Sequence, residues 1–122
     1  MNSKQIINEL KQKYPGCRII LLPKENPTEI ICEIDPATKH PNYSVAISVL
    51  EKSTPHYHKI VTEDYEVIKG KVLLFLDNKK LTLKTGDKQT IKPGIVHWAQ
   101  SDSGWIECTS KPGWTPEDHI IA

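Results

Sequence analysis

The residues best suited to chemistry stand in a short series: His56-Tyr57-His58, then Glu63, then His97. On a strand, residues i and i+2 project from one face, so His56 and His58 present two imidazoles side by side. Glu63 lies five residues on, enough for a turn that lets the next strand face them. His97 follows the tight-turn sequence Lys92-Pro93-Gly94. Three imidazoles and one carboxylate suit one divalent first-row metal: Fe, Mn, Ni, Cu, Co or Zn. The carboxylate offsets part of the charge. On an octahedral metal, four protein ligands leave two positions for water or substrate. A lone His-x-His is a weak signal. The ordered succession of the pair, Glu63, Gly70, Gly86, Pro93, Gly94 and His97 is much harder to reach by chance.

These residues need a scaffold of strands. Residues 3–14 place Ile6, Ile7, Leu10 and Tyr14 on one helical stripe, with Ser3 as the expected N-cap and Pro15-Gly16 as the stop. After Gly16 the period changes. Short β-rich runs are expected at 17–22, 29–33, 44–50, 56–59, 65–68, 72–76, 80–84, 88–92, 97–101 and 105–109. Pro, Gly, Asn and Asp punctuate them, and Leu81 and Leu83 alternate with Lys80, Thr82 and Lys84. Many short strands at this spacing predict an all-β barrel or sandwich with a short N-terminal helix. The expected division is a helical extension over 1–16, a β-barrel over 17–111 and an irregular tail over 112–122, placed to pack over an opening.

Composition narrows the function. The 122 residues bound a single domain able to bury its own core. Lys+Arg number 16 against 15 for Asp+Glu, and Arg18 is the only arginine. Nucleic acid is therefore not an expected partner, since bidentate arginine contacts are nearly excluded. Lys79-Lys80 reads as a solvated hairpin tip. No helix-turn-helix segment is legible. The longest apolar run, Val72–Leu76, is too short to span a bilayer, and the first residues lack a secretory apolar stretch. The expectation is a cytoplasmic protein with no membrane partner. Cys17, Cys32 and Cys108 are odd in number and far apart, which predicts buried reduced thiols.

The ordered motif resembles the cupin superfamily. The first cupin motif, G(x)5HxH(x)3–4E(x)6G, is matched by His56, His58, Glu63 and Gly70, with Leu50 where the opening glycine falls. The second, G(x)5PxG(x)2H(x)3N, is matched by Gly86, Gly94 and His97, with Lys92 at the proline, Pro93 one place later, and Ser101 at the asparagine. The motifs cover residues 56–97, and the β-rich pattern carries the resemblance over about 17–110. It implies a small single-domain cupin of the conserved-barrel type: a double-stranded β-helix, or jelly-roll barrel, of two antiparallel sheets. One divalent transition metal would be held near the mouth by His56, His58, Glu63 and His97. It also implies either a homodimer packed through the 3–14 helix and the following strand, or a helical lid on the same subunit.

Around this centre, Tyr65 and Val67 share the face of Glu63, and Ala99 and Ser101 share that of His97. Tyr65 and Ser101 are the candidate substrate-binding residues. Tyr57 and Trp98 alternate outward. Trp105 and Trp114 are weighed between the mouth and the core, with core favoured. His119 and His40 are expected to be solvated, with a role for His119 over the site as the alternative. Gly70, Gly86 and Gly94 are expected to supply tight turns rather than a phosphate cradle. The functional expectation is a metal-dependent enzyme acting on a small polar molecule, resembling a sugar or uronate isomerase or a dioxygenase. The alternative is a non-catalytic barrel that binds or senses a small molecule.

Overall fold

A computed structural model describes all 122 residues. The helical stripe forms α1, Ser3–Lys13, which buries Ile6 and Leu10. Its N-cap is Asn2 rather than Ser3: the Asn2 Oδ1 accepts the Gln5 N–H at 3.2 Å. The Asn2 amide, one residue earlier, thus takes the capping role, and Ser3 enters the first turn.

Ten strands follow: β1 (Arg18–Leu22), β2 (Glu29–Asp35), β3 (Ser44–Lys52), β4 (His56–Tyr57), β5 (Thr62–Lys69), β6 (Lys71–Leu76), β7 (Lys79–Lys84), β8 (Lys88–Ile91), β9 (His97–Lys111) and β10 (Ile120–Ile121). Every pairing is antiparallel. One edge-to-edge path runs β1-β2-β3-β9-β4-β10, while β5 joins β8 to β9 and β6 joins β7 to β9. The long β9 is the shared spine, and the sheet curls about it into a barrel. No helix is long and apolar enough to cross a membrane.

Two expected strands, 97–101 and 105–109, are one continuous strand. The segment between them carries an irregularity: Ser103 has φ 56°, and the pairing to β3 shifts between Leu50 and Lys52. Such an insertion changes which alternate side chains face inward. Ala99 lines the interior before it, whereas Ile106, Cys108 and Ser110 line it afterwards. Gly70 turns β5 into β6 at φ +84°, the conformation expected of it, and a Cβ there would stand 3.3 Å from the Gly104 Cα.

The expected strand at 56–59 shrinks to His56–Tyr57, because the chain from Lys59 to Val61 is held by the tail instead. That tail is not irregular throughout. Pro116–Asp118 forms a 3-10 turn, and β10 pairs with β4.

Two apolar clusters hold the molecule together. One fills the closed end of the barrel, with Leu50, Val67, Val72, Leu74, Ile91 and Ile106 at its centre. The other lies outside the sheet, where Ile6 and Leu10 of α1 cover Ile30, Cys32, Ile47, Val49 and Trp105. The helix therefore packs on its own sheet. The alternation of β2 and β3 divides the two regions, with Ile30 and Cys32 facing the helix and Glu29, Ile31 and Glu33 facing the barrel interior.

Candidate metal centre

His56 on β4, His58 just after it, Glu63 on β5 and His97 at the start of β9 meet inside the barrel. One ligand atom from each lies within 4.8 Å of the others. All four are buried, with exposures of 7%, 2%, 4% and 1%. His56 pairs directly with His97 across the β4–β9 ladder, which brings the two imidazole centroids to 4.3 Å with the rings tilted by 56°.

The outer nitrogens fix the chemistry of the inner ones. The Nδ1–H of His56 donates to the Thr54 carbonyl at 2.8 Å, that of His58 to the Asp118 carbonyl at 2.7 Å, and that of His97 to the Ile95 carbonyl at 2.9 Å. A carbonyl only accepts, so each Nδ1 carries the proton. In the neutral ring each Nε2 then offers a lone pair. The Nε2 atoms of His58 and His97 both approach Glu63 Oε1, at 3.0 Å and 2.9 Å. Two lone pairs and a carboxylate oxygen converging in a buried space require a cation or a proton among them.

Titration follows from this crowding. Burial alone would raise the Glu63 carboxyl, but the His58 and His97 imidazoles hold it well below the usual carboxylate range. Burial and the neighbouring His97 push His56 down to about 4, against the opposing pull of the Thr54 carbonyl. For His58, burial works downward, but the Glu63 carboxylate and the Asp118 carbonyl outweigh it and the net shift is upward. One buried anion among three imidazoles is the donor chemistry that a divalent transition metal accepts.

Three neighbours join the centre: Cys108 and Asp118, which the sequence does not announce, and His119, which takes the alternative place over the site. Cys108 donates its thiol to Glu63 Oε2 at 3.1 Å. Burial and the Glu63 charge raise this thiol well above its ordinary value, so it stays protonated and remains a donor. His119, expected in solvent, stacks on His56 with ring centroids 4.2 Å apart and lines the cavity, and its Nδ1 is buried without a partner. Asp118 is buried too. Its carboxylate accepts the N–H groups of Lys59, Ile60 and Val61 at 2.9, 3.1 and 3.0 Å. No spacing rule could have announced these residues, because the tail reaches the centre only through the fold.

The cavity above the centre has a volume of about 290 Å³. Tyr65 lines it, with its ring 6.0 Å from that of His97. Burial, then the Glu63 charge, keeps the Tyr65 hydroxyl well above its ordinary value and therefore protonated. Ser101 lies outside the cavity lining, below the β9 irregularity. Its hydroxyl donates to the Lys71 carbonyl at 2.7 Å and accepts the Gly104 N–H at 2.9 Å, which is turn chemistry. Trp114 lines the cavity, whereas Trp105 is core beneath α1. Trp98 faces outward and stacks on Phe75. His40 is not free in solvent; its Nε2 lies 2.7 Å from Asp35 Oδ1, and its ring stacks on Tyr43. All three cysteines are free, and Cys32 is fully buried while Cys17 and Cys108 are partly so.

Solved structures share this architecture. A crystal structure of an uncharacterized conserved protein with a double-stranded β-helix domain, from Klebsiella pneumoniae, superposes with a TM-score of 0.69 at 21% identity, over 80% of this chain and 87% of that one. The fold is that of the cupins. Pac13, a nucleoside dehydratase from Streptomyces, is similar to this barrel with a TM-score of 0.74 at 13% identity, over 88% of both chains. A curated protein of Aquifex aeolicus, described as uncharacterized, is 35% identical over 72 residues. That match spans 58% of this chain and 60% of the relative's length. No family model matches.

Proposed function

We propose that His56, His58, Glu63 and His97 bind one divalent transition metal, and that the chain is a metal-dependent enzyme acting on a small molecule in the cavity. The observation that carries this reading is the tautomer lock. Three backbone carbonyls turn three Nε2 lone pairs toward one buried carboxylate. Such outer hydrogen bonds orient histidine ligands and raise their basicity. A bound metal would supply Lewis-acid polarisation of a substrate oxygen.

The chain's own groups supply the rest. Tyr65 offers a protonated hydroxyl to a molecule in the cavity, and His119 offers an unpartnered Nδ1 beside His56. Trp114 and Ile31 give the cavity apolar walls that exclude water. Proton-bearing groups around the site favour proton-transfer chemistry, such as isomerisation or elimination, over oxygen chemistry. The resemblance in fold to a nucleoside dehydratase supports an enzymatic use of the same barrel.

Cobalt(II) titration tests the ligand set. The wild type is expected to bind about one equivalent, with visible d–d bands that report imidazole and carboxylate coordination. The His56→Ala/His58→Ala double variant should lose those bands. Equal spectra and stoichiometry in the two proteins would refute the assignment.

A further inference from the structure

The cavity holds a second polar cluster, on β2 and β3, which the four-residue centre does not use. Ser48 Oγ donates to Glu29 Oε2 at 2.6 Å, and both residues line the cavity. They sit diagonally on adjacent strands, since Ser48 pairs with Ile31 and Glu29 with Leu50. Glu29 Oε1 has no protein partner. Burial pushes the Glu29 carboxyl up, and the Ser48 hydroxyl offsets part of that rise. The carboxyl oxygen not held by Ser48 can accept a hydrogen bond from a ligand hydroxyl.

Charge in the cavity is one-sided. Its ionisable lining includes Glu29, Glu33 and Glu63, with no lysine or arginine, and burial pushes the titration of the two lining imidazoles, His56 and His119, downward, away from the cationic form. Arg18, which approaches Glu33 at 3.9 Å, is 74% exposed and outside the lining. A phosphate or an extra carboxylate buried here would face carboxyl groups and apolar walls without a cationic side chain to receive it. A hydroxyl group would meet Glu29 in good hydrogen-bonding terms, and an apolar ring face would meet Ile31 and Trp114.

We infer that Glu29 and Ser48 form a hydroxyl-recognition subsite, and that the cavity selects neutral, hydroxyl-bearing small molecules over their phosphorylated or carboxylated counterparts. This rests on the cavity being the substrate site proposed above, and it concerns the end of the substrate remote from the metal.

The test uses matched probes: methyl glucoside against glucuronate, and ribose against ribose 5-phosphate. Ligand-observed NMR measures each with the cobalt-loaded protein and with metal-free protein. At least one neutral probe should bind about tenfold more tightly than its anionic mate in both states. Ser48→Ala and Glu29→Ala should each weaken the neutral probe about tenfold, and Glu29→Lys should shift preference toward the anionic mate. Equal or tighter anion binding by the wild type would overturn the subsite. So would neutral binding unchanged in both alanine variants, or no neutral binding up to about 10 mM. The cobalt spectrum reports the metal centre separately, and the charge preference of the metal-free protein stands or falls without it.

Discussion

At the scale of single residues, backbone acceptors set the ligand-type side chains of the centre. To the histidines, Thr54, Ile95 and Asp118 present only backbone carbonyl oxygens, yet these choose the tautomer of all three rings. The Cys108 thiol holds the second Glu63 oxygen. The other cysteines show what burial does without such a task. Cys32 is completely buried under α1, and burial first, then Cys17, push its thiol up to about 12. At pH 8 its thiolate fraction in the folded protein is negligible. Iodoacetamide labelling followed by mass spectrometry should therefore modify Cys32 only after denaturation. Rapid modification of Cys32 in the native protein would contradict its placement beneath the helix.

At the scale of elements, the tail is the device that completes the site. Asp118 binds the segment after β4 through its carboxylate and the His58 ring through its carbonyl. Burial would raise this carboxyl, but the backbone N–H groups of Val61, Ile60 and Lys59 lower it, so it acts as an anion. Hydrogen bonds to a charged group are among the stronger kind. Asp118→Ala is expected to cost about 2 kcal/mol in a denaturation experiment. It should also weaken metal binding about tenfold, as loss of support behind a ligand does. An unchanged metal affinity with lowered stability would restrict Asp118 to holding the loop.

The same element shows what a sequence can and cannot disclose. The four ligand-type residues were legible because two stand at i and i+2 in a short extended run and Gly70, Gly86 and Gly94 mark turns around the others, although the strand itself ends at Tyr57. The helix and the run of β-strands were legible from period. Asp118 was not, and His119 was only the alternative to a solvated tail residue, because their approach depends on β10 reaching back to β4, which brings Asp118 to His58 across 60 residues of chain. Cys108 was hidden for another reason. Inward alternation counted from His97 fails beyond Ser101, where the positive φ of Ser103 resets it. Glu29 faces the cavity from a strand whose opposite face serves the helix core, so only the packed structure tells its two faces apart.

At the scale of the whole molecule, one apolar cluster fills part of the barrel, the other covers the outer face of the sheet, and a mainly apolar cavity with a few polar groups remains inside. The barrel closes at one end around Leu74 and Ile91, and α1 stiffens the outer face of the sheet that carries Glu29 and Ser48. The ligand-type residues come from three separate strands or their flanks, so metal binding should require the folded barrel and stabilise it by mass action. The most direct measurement is metal content by plasma mass spectrometry. Untagged wild type and the His56→Ala/His58→Ala variant would each be stripped with chelator, reconstituted with a mixture of divalent first-row metals and desalted. About one equivalent of transition metal is expected in the wild type and almost none in the variant. A wild type that retains no metal after reconstitution, or a variant that retains as much as the wild type, would contradict the proposed metal centre.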